Sequence, residues 1–413
     1  LRGEPSQEQV VPLRKKHLSL KKSLDSVYQK IEGLDESFTM YLTPQVDLQV
    51  LQRRLGKGEV VMRYFFSDTG LYLFRLDSKA VVFEKVGTKE DVENHLKTYL
   101  SQIRQRDKKS GENPIHQLLT AGLKVNGKKN LLIVPHQTLQ LIPFEALMQD
   151  EKYLIQDYTI GYMPSLHFLL NNTGKKSNNK MTCFSPDYGG TNMAQLFPEL
   201  NSTRGEVERI SKLYDSQVYA GKQATKENFV NLQSGSSILH LAMHTTEIDQ
   251  EQYGLVFSGD DISSSLLSTT DIYSQHIPSE LTVLSACETG LGKIDPGEGV
   301  MSLSRAFLYS GSRSTLMSLW RVPDRATSTL MTAFYENLNQ GQDKSQALQN
   351  AKLQYISTIA DPNQAHPYYW AGFVVSGDMS PVSSAKTPYG WWIAGVLSLF
   401  SVIGAVAIRK KRA

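Results

Sequence analysis

A histidine and a cysteine close two apolar runs of strand length in this sequence. "SSILHLAMHTT" carries His244 near its end, and "LTVLSACETGLG" carries Cys287, 43 residues further on. A thiol is a weak nucleophile near neutral pH, and a neighbouring imidazole that takes its proton turns it into a thiolate. Covalent attack on a carbonyl carbon, with His244 as base and Cys287 as nucleophile, is the chemistry this pair could do. The residues alone leave a second reading open, because cysteine is among the most buried residue types and packs well as a small apolar group. Downstream, "GEG" (Gly297, Glu298 and Gly299) is expected to open an apolar helix over 298–310. Its N-terminal N–H groups and dipole would favour a thiolate or an oxyanion. Glu288, directly after the cysteine, reads equally as a substrate contact or as a solvated turn residue.

His240 competes with His244 for the role of base. On a strand the two face the same way but lie about 13 Å apart, at roughly 3.3 Å per residue, so they cannot share a site. "SILHLAMH" alternates as a strand does, and no glutamate follows His240 as a metalloprotease helix requires. His240 is therefore expected to be a satisfied interior histidine. No spacing of histidines, cysteines and carboxylates supplies a metal site, so a zinc hydrolase is set aside. Neither a metal nor a cofactor is expected.

These side chains need a frame. From residue 130 onward, strand-length runs at 130–135, 158–164, 181–186, 237–244, 281–287 and 314–320 alternate with helical stretches at 203–214, 225–232, 298–310, 325–339 and 343–357. That order predicts an α/β fold: a largely parallel sheet flanked by helices. Ligands of such sheets bind at the carboxyl ends of the strands, which is where His244 and Cys287 stand. The 43 residues between them leave room for a parallel crossover. Upstream, residues 59–87 alternate in period two with turns at Asp68-Thr-Gly and Asp77-Ser-Lys, predicting hairpins. Residues 89–106 return to helical spacing, a short helix is expected after Pro44, and 10–34 reads as an amphipathic helix in need of a partner.

The composition of the 413 residues, 40% hydrophobic and 21% charged, excludes a disordered chain. A net charge of +3 without interleaved basic and aromatic residues gives no case for nucleic acid. The two cysteines, Cys183 and Cys287, make no disulfide framework. The sequence opens on Leu1 without a signal-like segment and is expected to be a piece of a longer protein. At the other end "WWIAGVLSLFSVIGAVAI", residues 391–408, is eighteen residues without a charge and is followed at once by "RKKR". A single transmembrane helix is expected there. The positive-inside rule puts the basic tail, 409–413, in the cytoplasm and the rest of the chain on the far side, an order that a tail-anchored protein would invert.

"ILHLAMHTT", "LSACETGLG", "GEGVMSLSRAFLYSGSRSTLMSLWRVPD", "ATSTLMTAFYENLNQG" and "HPYYWAGFVVSGD" together resemble a CHAT domain, the bacterial caspase-like cysteine peptidase domain related to separases. "NLLIVPHQTLQLIPFEALMQD" and "YLIQDYTIGYMPSL" are similar to the non-catalytic half of that family. The resemblance implies a helical lead-in (1–40, the end of a repeat region), a CHAT domain over 41–378 and a linker over 379–390. Within the domain it implies a non-catalytic, pseudo-caspase-like half (41–235) and a catalytic half (236–378). It makes His244 the general base, Cys287 the nucleophile, and the backbone N–H groups of Thr245 and Cys287 the oxyanion donors. Asp324, in "SLWRVPD", is similar to an acidic residue lining the specificity pocket of separases, and it also reads as a helix N-cap. The implied activity is a membrane-tethered cysteine endopeptidase acting on a protein substrate, with tetratricopeptide repeats upstream. The family usually has glycine or alanine where this chain has Thr245, and a β-branched residue restricts the backbone there. A catalytically weak pseudoprotease serving as a scaffold is therefore the alternative. His366, before a proline, reads as a structural turn residue.

Overall fold

The computed structural model describes residues 47–123, 129–170, 179–189, 191–232, 236–249, 252–285, 294–295, 299–300 and 303–382. Helix α1 (Leu48–Arg54) starts where the Asp47 side chain accepts the N–H of Gln49, an N-cap that satisfies one of the orphan donors of the first turn. The alternating stretch after it becomes an antiparallel meander of β1 (Glu59–Ser67), β2 (Gly70–Asp77) and β3 (Val81–Gly87). At the second turn Asp77 Oδ1 accepts N–H bonds from Lys79 and Ala80, the local side-chain bonding that favours aspartate in turns. Helix α2 (Lys89–Gln105) follows, capped by Thr88.

The expected α/β alternation then appears as β4 (Asn130–Val134), β5 (Thr159–Tyr162), β6 (Lys180–Pro186), helix α3 (Asn201–Ile210), β7 (Asp215–Gly221), helix α4 (Lys226–Val230) and β8 (Ile238–Leu241). Three short strands come next: β9 (Thr245–Asp249), β10 (Gln252–Val256) and β11 (Leu266–Ser268). The rest is helix α5 (Thr269–Tyr273), β12 (Leu281–Leu284), α6 (Leu303–Tyr309), β13 (Ser314–Ser318), α7 (Asp324–Asn339), α8 (Lys344–Thr358) and β14 (Phe373–Gly377). Eleven strands form one sheet in the order β3-β2-β1-β4-β5-β14-β13-β12-β8-β6-β7. The block β13-β12-β8-β6-β7 is parallel throughout. β14 enters antiparallel to β13 and meets β5 at the registered pair Ser376 and Tyr162. β6 and β7, which the sequence grouped with the non-catalytic half, pair beside β8.

Alternation sorts each strand between two helical layers. Ile238, Leu281 and Val283 face one side, with Val207 of α3, Phe334 of α7 and Leu348 of α8. Leu239, Leu241 and Leu284 face the other, with Phe229 of α4, Ile272 of α5 and Phe307 of α6. The polar stretch 244–265 supplies, in its described part, β9 and β10, which pair antiparallel and are joined by β11, because backbone groups leaving the main sheet still need partners. One expectation changes here. The helix expected from Gly297–Gly299 begins, in its described part, at Leu303, and Gly299–Val300 instead pairs with Ile294–Asp295.

The lead-in 1–40, the span 391–408 and the tail 409–413 lie outside the described residues, as does most of the linker. Among the described residues no helix is long and apolar enough to cross a membrane.

A buried ion pair ties α8 to the segment before β5. Lys352 Nζ donates to Glu145 Oε1 at 2.9 Å, and Tyr162 Oη donates to Glu145 Oε2 at 2.5 Å. Lys352 and Glu145 are both buried, so each charge depends on the other for its compensation. Lys352→Ala, which strands the carboxylate, is expected to cost about 3–5 kcal/mol in chemical denaturation. The volume-matched pair Lys352→Met with Glu145→Leu is expected to recover most of that loss.

Candidate active site

The site begins with a register. β8 and β12 are parallel neighbours, with Leu241 opposite Leu284 and His240 opposite Val283. The ladder continues one step beyond the strands, where the Ser285 N–H donates to the Leu241 carbonyl at 3.0 Å. Registered residues of the two strands are 43 apart in sequence, the same spacing that separates His244 from Cys287. Neighbouring strands lie roughly 4.8 Å apart. Cys287 and Glu288 themselves lie outside the described residues.

His244 stands three residues past the end of β8 and is held at the main chain and at the ring. Its N–H donates to Tyr188 Oη at 3.2 Å, and its carbonyl accepts the Val256 N–H at 3.0 Å. The same Tyr188 hydroxyl donates to the Val256 carbonyl at 2.8 Å, so β10 and Tyr188 clasp the histidine backbone together. The ring packs against Tyr188 and Phe197, with centroids 5.3 and 5.7 Å away. Its Nε2 lies 2.7 Å from the Pro198 carbonyl, an atom that only accepts, which assigns the proton to Nε2. Nδ1 is then the basic nitrogen. Burial holds the imidazole pKa below its ordinary value; the Pro198 bond opposes this, Arg321 adds to it and Asp324 opposes it. The neutral, proton-accepting form therefore persists to lower pH than in a solvated histidine.

Of the other expected residues, Thr245 opens β9 opposite Leu255. Asp324 is exposed, and its charge acts to raise the His244 pKa. It is not the N-cap, however: Pro323 holds that position and Asp324 is the first residue inside α7, where its charge suits the helix dipole. His240 is fully buried, as expected, but only one ring nitrogen is satisfied: Nδ1 lies 2.9 Å from Tyr335 Oη, while Nε2 makes no hydrogen bond among the described residues. The second cysteine, Cys183 on β6, is buried, and its thiol is pushed up to about 12 by burial and then by the Glu206 charge, which leaves it protonated and inert. His366 caps the short helix Pro367–Trp370 by accepting the Tyr368 N–H at Nδ1. Sequence reasoning missed Tyr188, Phe197, the Pro198 carbonyl and Arg321. The first three act through backbone or ring contacts that no motif spacing announces. Arg321 was visible inside "SLWRVPD" beside the aspartate that drew attention.

Comparisons agree with this architecture. A family model described as the CHAT domain matches residues 111–378. Tetratricopeptide repeat protein 28 of Homo sapiens is 26% identical over 326 residues, covering 66% of this chain and 13% of that protein. Its Mus musculus counterpart is 23% identical over the same length. The chain thus spans about an eighth of the curated relatives it matches, and both are mammalian, which lends no support to the bacterial association. Separase in the Saccharomyces cerevisiae separase–securin complex superposes with a TM-score of 0.52 at 10% identity, covering 80% of this chain and 30% of that one. This likeness is one of fold.

The His244 environment makes a direct prediction. In a Cys287→Ala chain, an NMR titration of the His244 ring is expected to give a midpoint below the ordinary 6.5. Phe197→Ala, by admitting water, is expected to move the midpoint back up toward that value.

Proposed function

The chain belongs to the CHAT domain family, and on that premise we propose that it is a cysteine endopeptidase working through His244 and Cys287. The observation that carries this reading is the shared 43-residue offset between the β8–β12 register and the two residues. In this mechanism His244 Nδ1 takes the thiol proton and the thiolate attacks the scissile carbonyl. The oxyanion is received by the backbone N–H groups of Cys287 and Thr245. The imidazolium then protonates the departing amine, leaving an acyl-enzyme thioester that water hydrolyses. Arg321 and Asp324 supply opposite charges at the rim, where a protein substrate is to be selected, with Glu288 as a further contact. Residues 391–408 are proposed to tether the domain to a membrane in a single pass, with the 409–413 tail in the cytoplasm and tetratricopeptide repeats upstream.

One observation favours a second reading. The curated relatives are named for tetratricopeptide repeats, and the matched part is a small fraction of them. A scaffold role for the same fold, with Thr245 limiting turnover, fits that naming.

A thiol-directed activity probe separates the two. Because Cys183 stays protonated, labelling of the native chain is expected to report Cys287 and to vanish in Cys287→Ala. His244→Ala is expected to lower peptide turnover by about 10²–10⁴-fold, the usual contribution of a positioned base. Equal labelling of the native chain and Cys287→Ala would remove the nucleophile from this account.

A further inference from the structure

Beneath the site sits a carboxylate cut off from solvent. Glu206, on α3, is 2% exposed, and its Oε1 accepts a hydrogen bond from Ser285 Oγ at 2.9 Å. The same oxygen lies 3.3 Å from Nε2 of His240, which is fully buried. Ser285 stands two residues before Cys287, and His240 four before His244. One oxygen atom therefore reaches both chains that lead to the proposed dyad.

The far side of His240 completes the chain of contacts. Tyr335, on α7, places Oη 2.9 Å from His240 Nδ1. Burial holds this phenol pKa well above its ordinary value, followed in effect by the neighbouring Cys183, Tyr214 and Glu206, so the hydroxyl keeps its proton. With Tyr335 as donor to Nδ1, the ring proton is on Nε2, on the side of Glu206, although the approach is off the hydrogen-bond direction. Ser285 then provides the one well-aligned bond to Oε1 among these contacts.

A carboxylate here is a poor choice for packing alone. Desolvating it is costly unless its partners are in place, and a leucine would seat α3 on the sheet without that penalty. The neighbouring positions on α3, Val207 and Ile210, do pack in that ordinary way.

We infer that Glu206 is a positioning residue: by bridging Ser285 and His240 it holds the chain leaving β12 against β8, so that His244 and Cys287 stay in step. The bridge acts on strand ends and touches no reacting atom. It rests on the dyad reading, since the chain it steadies leads to Cys287.

The test is the rate at which iodoacetamide alkylates Cys287 at neutral pH, measured with peptidase kcat and KM and with the thermal midpoint. Ser285→Ala removes the aligned donor, and because the buried carboxylate then lacks it, the thermal midpoint is expected to fall by about a few degrees. With rates read well below that midpoint, alkylation and kcat are expected to slow about tenfold with KM nearly unchanged; about one hydrogen bond of ordering is at stake. Ser285→Thr, which keeps the hydroxyl, is expected to restore both rates. Glu206→Gln, which keeps an acceptor oxygen, is expected to fall between. Alkylation of Ser285→Ala at the native rate overturns the positioning role alone. Absence of Cys287 labelling in the unsubstituted chain removes the dyad reading, and this inference with it.

Discussion

Everything proposed for this domain depends on the parallel pairing of β8 with β12. A strand pair can slip, and a slip of one residue sends every side chain on one strand to the opposite face. Here such a slip would set Val283 against the wrong helical layer and turn the residues after Leu284 away from those after Leu241. The register is specified twice over. Leu241 and Leu284 share one apolar layer with Phe307, while Ile238, Leu281 and Val283 share the other with Phe334. Both faces are buried, so neither strand can shift without exposing apolar surface on both sides of the sheet. Ser285, bonded to the Leu241 carbonyl one step past the strands, inherits that constraint.

Burial on both faces creates a second problem, because polar groups in such a sheet have no water to fall back on. The structure answers it locally. His240 sits at the sheet's buried face with Tyr335 and Glu206 around it, and Ser285 supplies the bond that aligns the carboxylate. On the other half of the sheet, Glu145 is answered by Lys352 and Tyr162. These two clusters differ in one respect. The Lys352 cluster brings a full counter-charge to its carboxylate, which suits a tie between elements. The Glu206 cluster offers a serine hydroxyl and an imidazole from the two chains that lead to His244 and Cys287.

The strong periodicities were legible. β4, β5, β8, β12 and β13 arise within the stretches whose apolar runs predicted them, β6 begins one residue before its stretch, and α7 and α8 start within a residue of their expected positions. Their signal is a full apolar run or a full amphipathic face, which the buried environment rewards directly. β7 and β14 were not read as strands. "DSQVYAG" is an edge strand with much of its surface exposed, so its alternation is diluted by polar residues. "FVVSG" is apolar enough, but its place antiparallel to β13 is decided by partners far away in sequence. The same holds at the site. His244 could be singled out from His240 by strand position, whereas Tyr188, Phe197 and Pro198 enter through a loop 46 to 56 residues upstream. Tertiary packing chose them, and no local pattern encodes that choice.

Thr245 shows how the two levels combine. As a departure from the family's small residue it reads as an obstacle to backbone freedom. In the fold it is the first residue of β9, paired across from Leu255, where a β-branched side chain suits the extended conformation. The restriction and the strand therefore pull the same way. Directly before it, the His244 carbonyl is taken by Val256 and the His244 N–H by Tyr188, so the small sheet and His244 are anchored through one stretch of backbone. Moving Thr245 would mean moving His244. The proton affinity of the His244 ring follows a different control: burial lowers it first, while the charges of Arg321 and Asp324 act in opposite directions. The enclosing rings thus set the protonation state chiefly through desolvation, and that charged pair is left to act on whatever approaches from solvent.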